Sequence, residues 1–291
     1  MRRLPTSLLI LVLLPPAFIK TTIELFIQKH TATCYGKLQT GLTSATPAVP
    51  FLTLFCVRLR LNINRLMTFS CGEIRGSKWQ DRIEYCGFNK LRNYLKSGRS
   101  VLLVSVHYGS PRDASSIIRS QGLHLSSLAY NPLTPLEQRA WDTRNQLWGL
   151  QDVPYIFHPA DMWEIRDYLR EPGKAVLMLI ESEGKARTMP GAFIGGQIRA
   201  AKGFIKFAEM TDAVVVPFAC TSTGFLRWRL WYGDGIEYDG DEIEATTLLQ
   251  QTLQQLETEV VSHPEQIRPE LIRALISEDN MDQVMTLQGT C

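Results

Sequence analysis

Several features are missing from this 291-residue chain. It has no strong charge excess: 31 Lys and Arg face 29 Asp and Glu, for a formal net charge of +2. A dedicated nucleic-acid binder carries a marked basic surplus, so that class of partner is set aside. The six cysteines (Cys34, Cys56, Cys71, Cys86, Cys220 and Cys291) include no C-x-x-C pair. That spacing argues against a zinc site, and a chain this long has no need of a disulfide framework, so free thiols in a reducing compartment are expected. Ser105 and Ser110 lack the G-x-S-x-G frame of a hydrolase nucleophile. No Gly-rich dinucleotide or phosphate loop follows a strand pattern, and no metal or redox cofactor is implied. Internal repeats and low-complexity segments are absent.

Nor is there an uninterrupted apolar run of the ~20 residues that a membrane-crossing helix needs. Met1, Arg2 and Arg3 precede an apolar stretch over residues 4–19, which Pro15 and Pro16 interrupt. Its basic start resembles a signal peptide, but Lys20, Thr21 and Thr22 follow where a small-residue cleavage site belongs. A second Pro-interrupted apolar stretch covers residues 45–57. The expectation is an uncleaved anchor within residues 1–60, spanning or lying on a membrane with Arg2 and Arg3 at its cytoplasmic face. The alternative is a helix packed onto the protein itself.

From about residue 75 the pattern becomes regular, and residues 75–285 read as one α/β domain. Apolar runs, the first of them rich in valine, predict buried strands over residues 101–106, 174–180 and 213–219. Further strands are expected over 123–129, 153–157 and 226–231. Helices are expected over 89–98, 112–119, 135–147, 160–169, 200–210 and 243–261. The alternation implies a mixed, mainly parallel central sheet flanked by helices. In such sheets chemistry gathers at the carboxyl ends of strands. His107 stands at one such end, and Glu181 and Glu183 stand at another.

An imidazole is the side chain best suited to take a proton from a hydroxyl near neutral pH, and His107 follows a buried strand directly. The same position suits a histidine that merely closes a turn.

The run from Val101 to Arg112, with His107, Tyr108 and Gly109 at its centre, resembles the lysophospholipid-acyltransferase superfamily. The likeness is greatest to the branch of late lipid A acyltransferases, the lauroyl- and myristoyltransferases. Their pattern is a strand followed by His-aromatic-Gly-Asn-aromatic-Glu. Gly173 to Glu181, Gly191 to Gly195, Ala200 to Ala208 and Ala213 to Phe218 resemble further segments of that family, in the same order. The resemblance implies a glycerol-phosphate acyltransferase-like fold preceded by hydrophobic helices. It also implies transfer of a fatty acyl group from acyl carrier protein or acyl-CoA to a hydroxyl or amine of a lipid acceptor. His107 would be the general base, held by an acidic partner.

The family's acid falls where this chain has Arg112, which can accept no hydrogen bond. Asp113 is one residue further on, about 100° around a helix. Either Asp113 or a carboxylate from the neighbouring strand end, Glu181 or Glu183, is the candidate replacement. The block from Glu183 through Lys185 to Arg187 resembles the phosphate-binding Glu-Gly-x-Arg of glycerol-phosphate acyltransferases, with one residue inserted. Arg112, Glu183, Lys185, Arg187, Arg199 and Lys202 are therefore candidate substrate-binding residues, against the alternative of a solvated charged surface. The turn's backbone N–H groups near Gly109, or Arg112, are candidate oxyanion donors. Tyr108, Phe193, Phe204 and Phe207 suit either an acyl groove or core packing. Two rival functions stay open: a non-catalytic acyl- or carrier-protein-binding module, and a thioesterase-like hydrolase.

Overall fold

A computed structural model describes residues 6–28, 34, 36–39, 45–70, 81–129, 134–135, 138–139, 156–182, 187–238 and 242–276. Its elements run α1 (Thr6–Thr22), a π-helical turn (Ile23–Ile27), α2 (Phe51–Ser70), β1 (Ile83–Cys86), α3 (Phe88–Lys96), β2 (Val101–Ser105), α4 (Pro111–Ser120), β3 (His124–Leu128) and β4 (Ile156–Phe157). They continue with α5 (Met162–Arg170), β5 (Lys174–Leu179), β6 (Thr188–Phe193), β7 (Gly196–Ala201), α6 (Gly203–Thr211), β8 (Val214–Gly224), β9 (Arg227–Tyr232), α7 (Glu242–Ser262), a 3₁₀ turn (Pro264–Gln266), α8 (Pro269–Ala274) and β10 (Leu275–Ile276). The helix expected over residues 135–147 lies largely outside the described residues.

The central sheet has seven strands in the order β1-β9-β8-β2-β5-β3-β4. From β8 to β4 every pairing is parallel; β9 is antiparallel to β8, and β1 runs alongside β9. The sheet is thus mixed and mainly parallel, and helices flank it. β2 lies at its middle and is wholly buried. Strand side chains alternate between faces. Leu102, Val104 and Val106 therefore join one core with residues of α5, α6 and α7, while Val101 and Leu103 join a second with residues of α3 and α4. A strand covered on both sides has no polar face to show, which is why the apolar runs were readable as buried strands.

A smaller antiparallel sheet, β10-β7-β6, adjoins the carboxyl end of β5. Sequence patterning places the start of a helix at residue 200, whereas β7 continues to Ala201 and α6 begins at Gly203. Between β6 and β7 the turn residues Ile194 and Gly195 both have positive φ, 45° and 69°. Such a turn normally advertises itself as Asn-Gly or Asp-Gly, and isoleucine hides it.

The amino-terminal helices correct the expected membrane association. Among the described residues no helix is long and apolar enough to cross a membrane. The 17 residues of α1 rise about 25 Å, short of the ~30 Å hydrocarbon core, and contain Pro15 and Pro16. α2 has 20 residues, but Arg58, Arg60, Asn62 and Asn64 interrupt its apolar character. Those polar groups bind the protein instead. Asn62 Nδ2 donates to Thr21 Oγ1 of α1 at 3.0 Å, and Phe18 meets Phe55 edge-on at 5.6 Å. Asn64 Nδ2 donates to Ser222 Oγ at 2.9 Å, and Arg60 donates to the Ser222 carbonyl at 2.5 Å. The anchor, the membrane partner and the membrane-face location are accordingly withdrawn.

Candidate functional site

Strand register brings the two acid–base candidates together. In the β2/β5 pair, Ser105 stands opposite Leu179. Two residues further along each parallel strand come His107 and Glu181. The Ile180 N–H donates to the Ser105 carbonyl at 3.0 Å, so the pairing persists to the sheet edge. The His107 backbone N–H donates to Glu181 Oε1 at 2.5 Å, and the same oxygen contacts His107 Nδ1. The Glu181 side chain is only 2% exposed, whereas the imidazole is 35% exposed. A buried carboxylate thus holds Nδ1, with the ring partly open to solvent. A ring held at Nδ1 carries its proton there and leaves Nε2 as the acceptor nitrogen.

No protein-family model and no curated protein matches the chain.

The turn that carries His107 is clamped from two directions. Gly109 has φ +59°, and a Cβ there would lie 2.0 Å from the Cys220 carbonyl oxygen, so the close approach requires glycine. The Gly109 N–H donates to the Gln266 carbonyl at 3.0 Å, the Ser110 N–H to the Cys220 carbonyl at 2.8 Å, and the Tyr108 N–H to the Val106 carbonyl at 2.6 Å. These three donors are already engaged. The expectation that N–H groups of this turn serve as oxyanion donors is corrected on that account.

Asp113 sits elsewhere. It is 4% exposed, and its Oδ2 accepts the Trp228 indole N–H at 3.1 Å. Burial, with the Asp113 carboxylate beside it, pushes the Cys220 thiol well up, so that sulfur stays protonated. The four described cysteines, Cys34, Cys56, Cys86 and Cys220, are all free. Arg112 belongs to α4, but its side chain lies outside the described part, as do Glu183 and Lys185.

Three other cationic candidates gather past the end of β5. The Lys202 N–H donates to the Arg187 carbonyl at 3.0 Å, and the Ser182 N–H donates to the Arg199 carbonyl at 2.9 Å. Arg187 and Lys202 are exposed, and Arg199 is half-buried. Tyr108, Phe193, Phe204 and Phe207 are core residues, each at most 3% exposed, which decides between groove and packing for all four. A cavity of about 370 Å³ lies far from this edge, bounded by Phe88, Arg92, Lys96, Gly122, His124 and Gly173 near the amino ends of β3 and β5. Among the described residues no group of three or more His, Cys, Asp or Glu side chains could hold a metal ion.

Sequence reading missed the segment that closes the site. Gln266 to Glu270 returns from the far end of the chain and lies along the His107 turn. Ile267 bridges Tyr108 in antiparallel fashion, and the Arg268 N–H donates to the His107 carbonyl at 3.1 Å. Its only sequence signal is local, an acid after Pro269, and nothing there points to residue 107.

Proposed function

We propose that this chain is an acyltransferase of glycerol-phosphate acyltransferase-like fold, moving a fatty acyl group from a thioester to a hydroxyl or amine acceptor. The supporting observation is the contact between His107 Nδ1 and the buried Glu181 carboxylate. It supplies the orienting acid that Arg112 cannot supply. In this reading Nε2 of His107 removes the acceptor proton as the acceptor oxygen or nitrogen attacks the thioester carbonyl. The C–S bond breaks, and the imidazolium returns its proton to the leaving thiolate, so the products are an ester or amide and a free thiol. Glu181 holds the tautomer and stabilises the transient imidazolium without taking its proton. Arg187, Arg199 and Lys202 are available to an anionic group on either substrate.

The test is transfer from a labelled acyl thioester by the purified protein, with His107→Ala alongside. General-base help is worth about 10²–10⁴ in rate, so the variant is expected to lose that factor. Undiminished transfer by His107→Ala would refute the assignment. Free fatty acid released at the same rate with and without an acceptor would replace it with hydrolysis.

A further inference from the structure

The cavity at the opposite edge of the sheet holds two cations that no carboxylate neutralises. Three basic residues stand on α3: Lys90, Arg92 and Lys96. Lys90 lies outside the cavity and pairs with Asp234 at 2.5 Å. Arg92 and Lys96 line the cavity, and neither has a carboxylate partner among the described residues. Four residues apart, they share one face of the helix, where like charges repel. Lys96 in the last turn complements the carboxyl end of α3, but Arg92 stands a full turn earlier, where that effect has faded. The last carbonyls of the helix are already taken by the N–H groups of Ser97, Gly98 and Arg99. His124 adds an imidazole that burial, then Lys174 and Arg119, hold below its ordinary value, with Glu171 opposing them. Glu171 itself pairs with Lys174 at 3.2 Å, and no Asp or Glu is among the described residues that line the cavity. Phe88, Leu95 and Leu123 supply its apolar wall.

We propose that this cavity binds a small organic phosphate, with Arg92 and Lys96 holding the phosphoryl group while Phe88, Leu95 and Leu123 pack against the organic part. Two cations match a dianion. The arginine fork can take two phosphoryl oxygens at once, and the lysine ammonium adds a mobile point charge. The volume of about 370 Å³ exceeds what inorganic phosphate alone would fill and falls in the range of small-molecule sites, roughly 300–1,000 Å³. The site is separate from the acid–base pair. Lys174 opens β5 and Glu181 lies just past its end, so roughly 20 Å of strand divides the two edges. A ligand in the cavity touches neither His107 nor Glu181, and its binding needs no acyl transfer at the other edge.

The experiment is a calorimetric titration of the full chain at low ionic strength with phenyl phosphate and, separately, with inorganic phosphate. Phenyl phosphate is expected to bind, and inorganic phosphate to bind roughly tenfold more weakly, since only the first reaches the apolar wall. Arg92→Gln and Lys96→Gln are each expected to weaken phenyl phosphate by roughly tenfold, as the loss of one charge-assisted hydrogen bond would, and the double variant to abolish binding. Lys90→Gln removes the same charge from the same helix outside the cavity and is expected to leave the affinity unchanged. In ¹⁵N NMR spectra the amides of Gly122 and Gly173, which border the cavity, are expected to shift as phenyl phosphate is added. No binding by the wild-type protein, or equal binding by the double variant, would overturn the proposal. An equal loss in Lys90→Gln would also overturn it, by showing general attraction to a basic surface. Equal affinity for the two probes would overturn the assignment of an organic phosphate.

Discussion

His107 Nδ1 and Glu181 Oε1 meet across the carboxyl ends of adjacent parallel strands, although 74 residues separate them in sequence. Parallel strands need long crossovers, so partners at such an edge are always distant in the chain. The strand pairing brings the two chain segments side by side, and the clamped turn after β2 holds His107 in place there.

If that alignment orients the base, Glu181→Gln should be a kinetic lesion. An amide can hold the ring in the wrong tautomer and carries no charge to stabilise the imidazolium. The expected loss is about 10²–10⁴ in kcat with little change in KM, measured by steady-state acyl transfer. A loss confined to KM would mean that Glu181 binds substrate instead.

Asp113→Ala should register first as lost stability. It removes the acceptor of the buried Trp228 indole N–H. Leaving a buried donor unsatisfied costs about 1–3 kcal/mol, which a urea unfolding midpoint resolves. An unchanged midpoint would show that Trp228 finds another acceptor at no cost.

Acidification should erase the contribution of Glu270 to stability. Its folded-state value is depressed, so the contribution is present above the ordinary value of about 4.5 and is lost as pH falls through the folded value. The thermal midpoints of the wild-type protein and Glu270→Gln should therefore differ most near neutral pH and converge in acid. The gap should be small, since the side chain is partly exposed and solvent screens it. A gap that widened as pH fell would reverse the sign of the argument.

Gly109→Ala should damage fold and site together. The backbone there is left-handed, and the new methyl would collide with the Cys220 carbonyl, a backbone atom that cannot swing aside. A cost of about 2–4 kcal/mol is expected from calorimetry or urea unfolding, more than a left-handed alanine alone would bring. A loss under 1 kcal/mol would mean that the turn relaxes easily.

The parts of this fold legible in the sequence are those decided by local composition. The runs at β2 and β5 are mostly Val, Leu, Ala and Met, and β8 opens on three valines; such runs suit strands covered on both faces. That fixed the sheet edge on which His107 and Glu181 both belong. Register was not legible: whether Glu181, Glu183 or Asp113 meets the ring depends on which strands pair and how they are staggered, and those choices are made by contacts across the chain. The β6–β7 hairpin was concealed by Ile194 at a position where polar turn residues are usual. The amino-terminal helices misled because hydropathy counts residues without knowing what they touch. The arginines and asparagines of α2 look like interruptions of an apolar segment until their partners, Ser222, Ile267 and Thr21, are known.

Arg58 of α2 donates to the Ile267 carbonyl, in the same stretch that rests against Tyr108 and His107. The front of the polypeptide therefore acts as a peg through the hasp that rests on the His107 turn. Trimming the leading helices to obtain a simpler protein would loosen that fastening, and the shortened chain would report on a slackened site as well as on a missing segment.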